Sequence, residues 1–200
     1  MGLRNLLLSG SFLFLGLQVP TALAAQEGAF AYQIRGGGTL PVLAFRSQDE
    51  GWEGKAGPGA SLAMGFNIPL LGPLGGYLGF GQHRFGCDGG VCPGGKNWIS
   101  TGFDVALRLQ LGEGRIRWWL QGGLHTHRLE ARLMQDGEPQ WVTSQGGGGY
   151  EGGGGVLVQV GDRMSLAPGL RYGEGSVPFS DHPSLRPRYL VLDVGLVIGF

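Results

Sequence analysis

The sequence predicts an all-β protein, an eight-stranded antiparallel up-and-down transmembrane β-barrel. Three observations predict it: apolar and polar residues alternate with a period of two, the number of such segments is even, and tight turns alternate with long loops. The alternation is clearest at residues 99–111, ISTGFDVALRLQL, where odd positions are mostly large and apolar. Because successive side chains of a strand point to opposite faces, one face suits hydrocarbon and the other suits a polar interior.

Eight segments are predicted as strands. They lie at residues 29–39, 60–68, 76–85, 98–111, 115–129, 149–160, 164–175 and 188–200. Tight turns rich in Gly, Pro and Asp are predicted at 69–75, 112–115 and 161–163. Long loops are predicted at roughly 40–58, 86–97, 134–148 and 176–187. We expect these loops to expose Trp52, Trp141 and Phe179.

The N-terminal segment, residues 1–24, predicts a secretory signal peptide. Arg4 precedes an apolar run of about a dozen residues, and the small residues Ala22 and Ala24 follow it. The run is shorter than the roughly 20 residues that a membrane-spanning helix needs, which favours cleavage over a membrane anchor. The remaining chain, residues 25–200, has the length of one domain.

Composition excludes several classes of protein. The formal net charge is zero and charged residues make up 15% of the chain, so there is no electrostatic case for binding nucleic acid. Glycine accounts for 42 of the 200 residues, without a collagen period and within the strand-like segments rather than in one linker. An apolar content of 42% with repeated alternation argues against disorder.

The last predicted strand, YLVLDVGLVIGF at residues 189–200, is expected to close the barrel against the first. In lipid every backbone N–H and C=O group must be paired, so a sheet survives only by closing on itself. Its predicted lipid-facing residues are Leu190, Leu192, Val194, Leu196, Ile198 and Phe200. Phe200 is expected at the turn-side interface, in an aromatic girdle with Phe30 and Trp118.

A C-terminal alternating strand that ends in phenylalanine resembles the assembly signal of outer-membrane β-barrel proteins. The positions that carry this resemblance are Tyr189, Leu192, Val194, Leu196, Ile198 and Phe200. From residue 29 to residue 200 the chain resembles the small eight-stranded group typified by the outer-membrane protein A transmembrane domain and OmpX. The resemblance implies export through the periplasm to the bacterial outer membrane, contact with outer-membrane lipid, and insertion by the barrel assembly machinery. We also expect a monomer.

The content of the barrel decides between a pore and a plug. Eight strands enclose a space that side chains just fill. The predicted interior polar network consists of Arg35, Asp104, Arg108, Arg117, His125, His127, Glu151, Arg171 and Asp193. Counting from the turns predicts that Glu151 approaches Arg171, and that Arg171 or Arg35 meets Asp193. Because buried charges must be paired or solvated, we expect a salt-bridged, partly hydrated plug in which glycines leave room for long side chains or for water.

His125 and His127 share one strand face, and His83, Ser100 and Asp104 are predicted in the same half of the interior. A hydrolase triad needs a nucleophile, a base and a carboxylate within hydrogen-bond reach; the alternative is ordinary polar filling near the mouth. The segment LHTHRLE does not resemble the His-x-Ser motif of outer-membrane lipid-A deacylases, and its histidines are predicted to point away from lipid. The sequence therefore predicts no enzyme, no metal site and no cofactor.

Cys87 and Cys92 lie in a predicted loop, and in an exported chain this close pair predicts a local disulfide that stiffens the loop tip. A four-ligand zinc site would need two further ligands, and none stands at motif spacing.

Pro168 falls inside a predicted strand, where proline removes a ladder hydrogen bond, and the neighbouring strand carries glycine at 152–155. Two alternatives follow: a bulge that turns the strand, or a lateral gap that admits a lipid or hydrophobic ligand.

These patterns favour a structural or surface-interaction role, with a plugged interior and loops exposed outside the cell. The alternatives are a narrow channel or hydrophobic-ligand conduit and, less favoured, a lipid-modifying hydrolase.

Overall fold

The computed structural model describes residues 30–42, 46–47, 56–87, 98–135, 138–180 and 184–200. The strands are β1 (Ala31–Pro41), β2 (Arg46–Ser47), β3 (Ala56–Leu71), β4 (Leu74–Cys87), β5 (Trp98–Leu111), β6 (Ile116–Gln135), β7 (Glu138–Thr143), β8 (Gly147–Gln159), β9 (Met164–Ser176), β10 (Leu185–Arg186) and β11 (Arg188–Gly199). No helix within these ranges is long and apolar enough to cross a membrane.

Eight of these strands form one closed antiparallel barrel. Each pairs with the next in the order β1, β3, β4, β5, β6, β8, β9 and β11, and β11 returns to pair with β1. The closing register runs without interruption from Ala31 opposite Gly199 to Pro41 opposite Tyr189. The predicted fold class, an eight-stranded antiparallel up-and-down barrel, is confirmed.

The connections at one end of the barrel, the turn end, are tight. Gly72, Gly112 and Gly114 lie in these turns with φ angles of 53°, 93° and 77°, a region that residues with a Cβ atom rarely adopt. The Phe200 N–H donates to the carbonyl of Phe30 at 3.0 Å, so the start of β1 and the end of β11 meet at the same end. The long connections leave from the opposite end, the loop end.

Side-chain exposure alternates along each barrel strand. In β5, Phe103 and Val105 are 58% and 59% exposed, whereas Asp104 between them is 2% exposed. The apolar face is therefore the outer one, the reverse of a water-soluble domain and the arrangement of a lipid-facing barrel. The aromatic residues exposed at the turn end are Phe30, Trp118 and Phe200.

Three connections predicted as loops contain strands: β2 lies in 40–58, β7 in 134–148 and β10 in 176–187. β6 continues to Gln135 and pairs with β7, which extends this hairpin beyond the barrel. In the last long connection, Val177 and Leu185 exchange backbone hydrogen bonds of 2.8 and 3.0 Å, and β10 pairs with β2. These segments lie beyond the lipid-facing region, so they lack the apolar-out alternation by which the barrel strands are recognised.

Pro168 does not produce the predicted bulge. The β8–β9 register pairs Gly155 with Gly169 and resumes at Val158 with Leu166, so the same register holds on both sides of the interruption. No residue is inserted, and the prediction of a bulge was wrong. Two residue pairs are instead missing from the ladder, beside a proline that has no N–H to donate.

Candidate functional site: the barrel interior

Inward side chains fill the barrel in four zones between the turn end and the loop end. An arginine–aromatic zone lies nearest the turns and is followed by an ion-paired zone. A histidine zone comes next, and a hydrophobic cap covers the loop end.

Arg108 is the centre of the arginine–aromatic zone. Its Nη1 donates to Gln33 Oε1 at 2.8 Å and to Asn67 Oδ1 at 2.7 Å. Its Nε and Nη2 both donate to Gln121 Oε1, at 3.2 and 2.7 Å. The guanidinium carbon also lies 4.8 Å from the ring centre of Trp119. Amide oxygens and an aromatic face thus solvate this buried cation.

Arg35 joins the same zone through Tyr77. Its Nη2 donates to the Tyr77 hydroxyl at 2.7 Å, and its guanidinium carbon lies 4.7 Å from the centre of that ring. Gln33 and Tyr77 were missed as interior residues in the sequence analysis. Each lies two positions from a residue on the inward face, Arg35 or Gly79, so the same alternation would have found both.

Arg171 forms the ion-paired zone by joining three strands. Its Nη1 donates to both carboxylate oxygens of Glu151 at 2.9 Å. Its Nε donates to Asp193 Oδ2 at 3.0 Å, and Nη2 donates to the same oxygen. Of the two arginines considered as partners of Asp193, Arg171 is the one that contacts it. β8, β9 and β11 are therefore linked by charge-assisted hydrogen bonds across the barrel interior.

The buried formal charges of the interior cancel. Among the described residues, three arginines and three carboxylates are each 5% exposed or less: Arg35, Arg108, Arg171, Asp104, Glu151 and Asp193. Arg117, predicted in the same network, lies nearer the turn end and is partly exposed. Because uncompensated charge is costly in a low-dielectric interior, this balance favours a closed plug.

The histidine zone brings together the three residue types of a hydrolase triad. Ser100 Oγ lies 3.0 Å from His127 Nδ1, and His127 Nε2 lies 3.2 Å from Asp104 Oδ1. The rings of His125 and His83 stack on that of His127, with ring centres 4.6 and 5.4 Å away. In an open cleft this geometry would support proton transfer from a serine nucleophile.

Burial separates these groups from any substrate. Ser100, His127 and Asp104 are each 6% exposed or less, and the hydrophobic cap lies over their zone. Within the described ranges, no group of three or more His, Cys, Asp or Glu side chains is placed to hold a metal ion. The arrangement acts chemically as a hydrogen-bonded polar layer that links β5 to β6.

A hydrophobic cap closes the loop end. It consists of Phe85, Trp98, Leu129, Val177, Phe179, Leu185, Tyr189 and Val191. Phe179, predicted to be exposed, is only 7% exposed, because its segment folds back over the mouth, where the Gln145 N–H donates to the Pro178 carbonyl at 2.9 Å. Trp141 is 60% exposed, and Trp52 lies outside the described residues.

Inward glycines accommodate the largest interior side chains. A Cβ atom at Gly169 would overlap the ring of Trp119, and one at Gly173 would lie 2.5 Å from Tyr189 Cζ. A Cβ atom at Gly153 would lie 2.6 Å from Arg171 Cγ. At these three glycines a large side chain occupies the space, as the first of the two alternatives predicts.

The signal peptide, whose residues 1–24 lie outside the described residues, the disulfide and the C-terminal assembly signal remain predictions. Cys87 ends β4, and Cys92 lies outside the described residues. Mass spectrometry that finds two free thiols in the purified protein would contradict the predicted disulfide. Of the proposed assembly signal, Tyr189 faces inward, whereas Leu192 and Phe200 are exposed on the outer face.

Two solved structures are similar to this closed and filled barrel. The crystal structure of Neisserial surface protein A (NspA) matches with a TM-score of 0.60 and 17% identity, covering 86% of this chain and 97% of that chain. The outer membrane protein OprG from Pseudomonas aeruginosa matches with a TM-score of 0.54 and 13% identity, covering 86% and 97%. The fold is that of the small eight-stranded outer-membrane barrels. No protein-family model and no curated protein matches the sequence.

Proposed function

We propose that this chain is a non-enzymatic protein of the bacterial outer membrane, whose plugged barrel is a rigid scaffold that holds its loop end outside the cell. The observation that carries this proposal is the filled interior, which continues from the Arg108 zone to the hydrophobic cap. The interior side chains of the described residues are buried, which argues against a path for solute and against room for a substrate. Surface interaction then belongs to the loop end, where Trp141 is exposed.

The orientation in this proposal follows from the two ends of the barrel. Outer-membrane barrels carry short turns on the periplasmic side and long connections on the extracellular side. Here the tight turns lie at one end, and the β6–β7 hairpin and the capping segment lie at the other. The loop end is therefore assigned to the cell exterior.

Histidine modification tests whether the interior is sealed. In the folded protein, diethyl pyrocarbonate should modify His83, His125 and His127 far more slowly than in urea-unfolded protein, as read by peptide mass spectrometry. Phe179→Ala should speed their modification, because the substitution removes a buried ring from the cap. The matched control is Phe66→Ala, which removes an exposed ring from the apolar outer face of the barrel.

The control should leave histidine modification slow. Equal modification rates in folded and unfolded wild-type protein would contradict the sealed interior and the proposed function with it.

A hydrophobic-ligand conduit is the second candidate, and the interrupted β8–β9 ladder favours it. The missing pairs lie between Gly155 and Val158 on β8 and between Leu166 and Gly169 on β9. Amide hydrogen exchange in detergent micelles distinguishes the candidates: a seam that opens would give fast exchange along both strands. Uniformly slow exchange, as expected for the uninterrupted β1–β3 ladder, would dismiss the conduit.

A further inference from the structure

The outer wall formed by β4, β5 and β6 changes from apolar to polar towards the loop end: the row with Phe80 and Phe103 ends at Thr126 on β6, and the next row is polar throughout. Phe80 lies opposite Phe103, with ring centres 5.2 Å apart. In the next row towards the loop end, Gln82 lies opposite Thr101, and Thr101 lies opposite Arg128. The row beyond contains Arg84, Ile99 and Glu130. The apolar belt on this wall therefore ends directly beneath a polar band, defined as Gln82, Arg84, Thr101 and Arg128.

The two arginines of this polar band, Arg84 and Arg128, are exposed, and no carboxylate of the described residues forms an ion pair with either. Arg188, on the opposite wall, is by contrast paired with Glu174 at 2.7 Å. At the loop-end edge of the apolar surface, the charges of Arg84 and Arg128 are therefore available to a ligand, whereas the charge of Arg188 is neutralised by Glu174.

Neighbouring side chains orient the band. Arg84 Nε donates to Gln82 Oε1 at 3.3 Å, and Gln82 Nε2 donates to Thr101 Oγ1 at 3.5 Å. Arg84 and Arg128 stand on either side of β5 with a two-residue offset, so their backbone positions are about 12 Å apart. Long, flexible arginine side chains at that spacing can both turn to one anion placed over Thr101.

We propose that the polar band binds the phosphate of a membrane lipid whose acyl chains lie along the Phe80–Phe103 surface. Arginine pairs match the charge and geometry of phosphate, and the hydroxyl of Thr101 adds a neutral donor. The occupant is assigned as a lipid because the apolar belt continues directly below the band, where acyl chains lie in a membrane. The inference is independent of whether the barrel interior is sealed.

Native mass spectrometry of the folded full chain in zwitterionic micelles tests this proposal with dioleoyl phosphatidate as the probe. Arg84→Gln/Arg128→Gln should weaken phosphatidate binding about 30-fold, the effect of removing two cations from an anionic lipid surface. The matched control is Arg115→Gln/Arg163→Gln, two exposed arginines at the turn end, which should bind as wild type does. Heat-modifiable gel mobility checks that every variant is folded.

A third variant gives a change of the opposite sign. Glu130→Gln removes a carboxylate two residues along β6 from Arg128 and should strengthen phosphatidate binding about fivefold. A purely structural role for the band would not produce this gain.

Three results would overturn the proposal. One is wild-type affinity in the Arg84→Gln/Arg128→Gln variant, and another is an equal loss in the turn-end control. The third is equal binding of inorganic phosphate and phosphatidate, which would assign the site to free phosphate. Weaker binding of dioleoyl phosphatidylcholine than of phosphatidate supports the proposal.

Discussion

Removing the Arg171 guanidinium should destabilise the barrel more than any exposed substitution. Arg171→Met keeps much of the side-chain length but deletes every hydrogen bond to Glu151 and Asp193. Two carboxylates, each 5% exposed or less, then face each other without a cation. Loss of one partner from a buried ion pair costs about 3–5 kcal/mol of unfolding free energy, and we expect a loss of that size.

A charge-matched variant isolates the cause of that loss. Adding Glu151→Gln and Asp193→Asn to Arg171→Met removes the unpaired negative charges and keeps the shapes of both side chains. The triple variant should recover part of the lost stability, because two unpaired buried charges are replaced by neutral amides, whose unpaired burial costs less.

The assay is reversible urea unfolding of the barrel in lipid vesicles, followed by tryptophan fluorescence. Wild-type stability in Arg171→Met would refute the reasoning. So would a triple variant no more stable than Arg171→Met, because the cost would then come from lost packing rather than from unpaired charge.

Two further predictions concern packing and chemistry in the interior. Gly169→Ala should cost about 1–3 kcal/mol of unfolding free energy in the same urea assay, because its new methyl group overlaps Trp119. The control Gly122→Ala, whose methyl group meets no atom within 4 Å, should be neutral or slightly stabilising. Equal losses of stability in the two variants would contradict the packing account. A serine-reactive fluorophosphonate should not label Ser100 in the folded protein, since the hydroxyl lies beneath the cap; labelling that disappears in Ser100→Ala would instead indicate a hydrolase.

The barrel was predictable because lipid imposes one rule on every strand. Paired backbone groups and alternating faces are local consequences of that rule, so the eight segments appear in the sequence as period-two patterns. The segment predicted at 98–111 coincides with β5, and the other predicted strands differ from the observed ones mainly at the loop end. The inward phase follows from the same alternation, which is how Arg171 and Glu151 were assigned to the interior.

The hydrophobic cap was not predictable by that rule. Phe179 lies in a connection rich in Pro and Ser without alternation, and its burial depends on the Val177–Leu185 bridge and on contacts with distant strands. The prediction of a bulge at Pro168 was wrong for a different reason. A missing N–H predicts a lost ladder bond, but whether a residue is inserted depends on the neighbouring register, which the sequence does not encode locally.

The sequence also did not predict which side chains fill the space beside the inward glycines. Gly153 faces Arg171 on the adjacent strand β9, and Gly169 faces Trp119 on β6, on the far side of β8. The register between strands decides which side chain leans over which glycine, so composition alone leaves side chains and water as equal alternatives.

Single-channel recording in a planar bilayer tests the central claim, a barrel sealed by its own side chains, most directly. The account predicts no steady conductance from folded protein across the range of potentials at which an open porin, measured beside it, conducts. A reproducible ohmic current from the wild-type chain would contradict it.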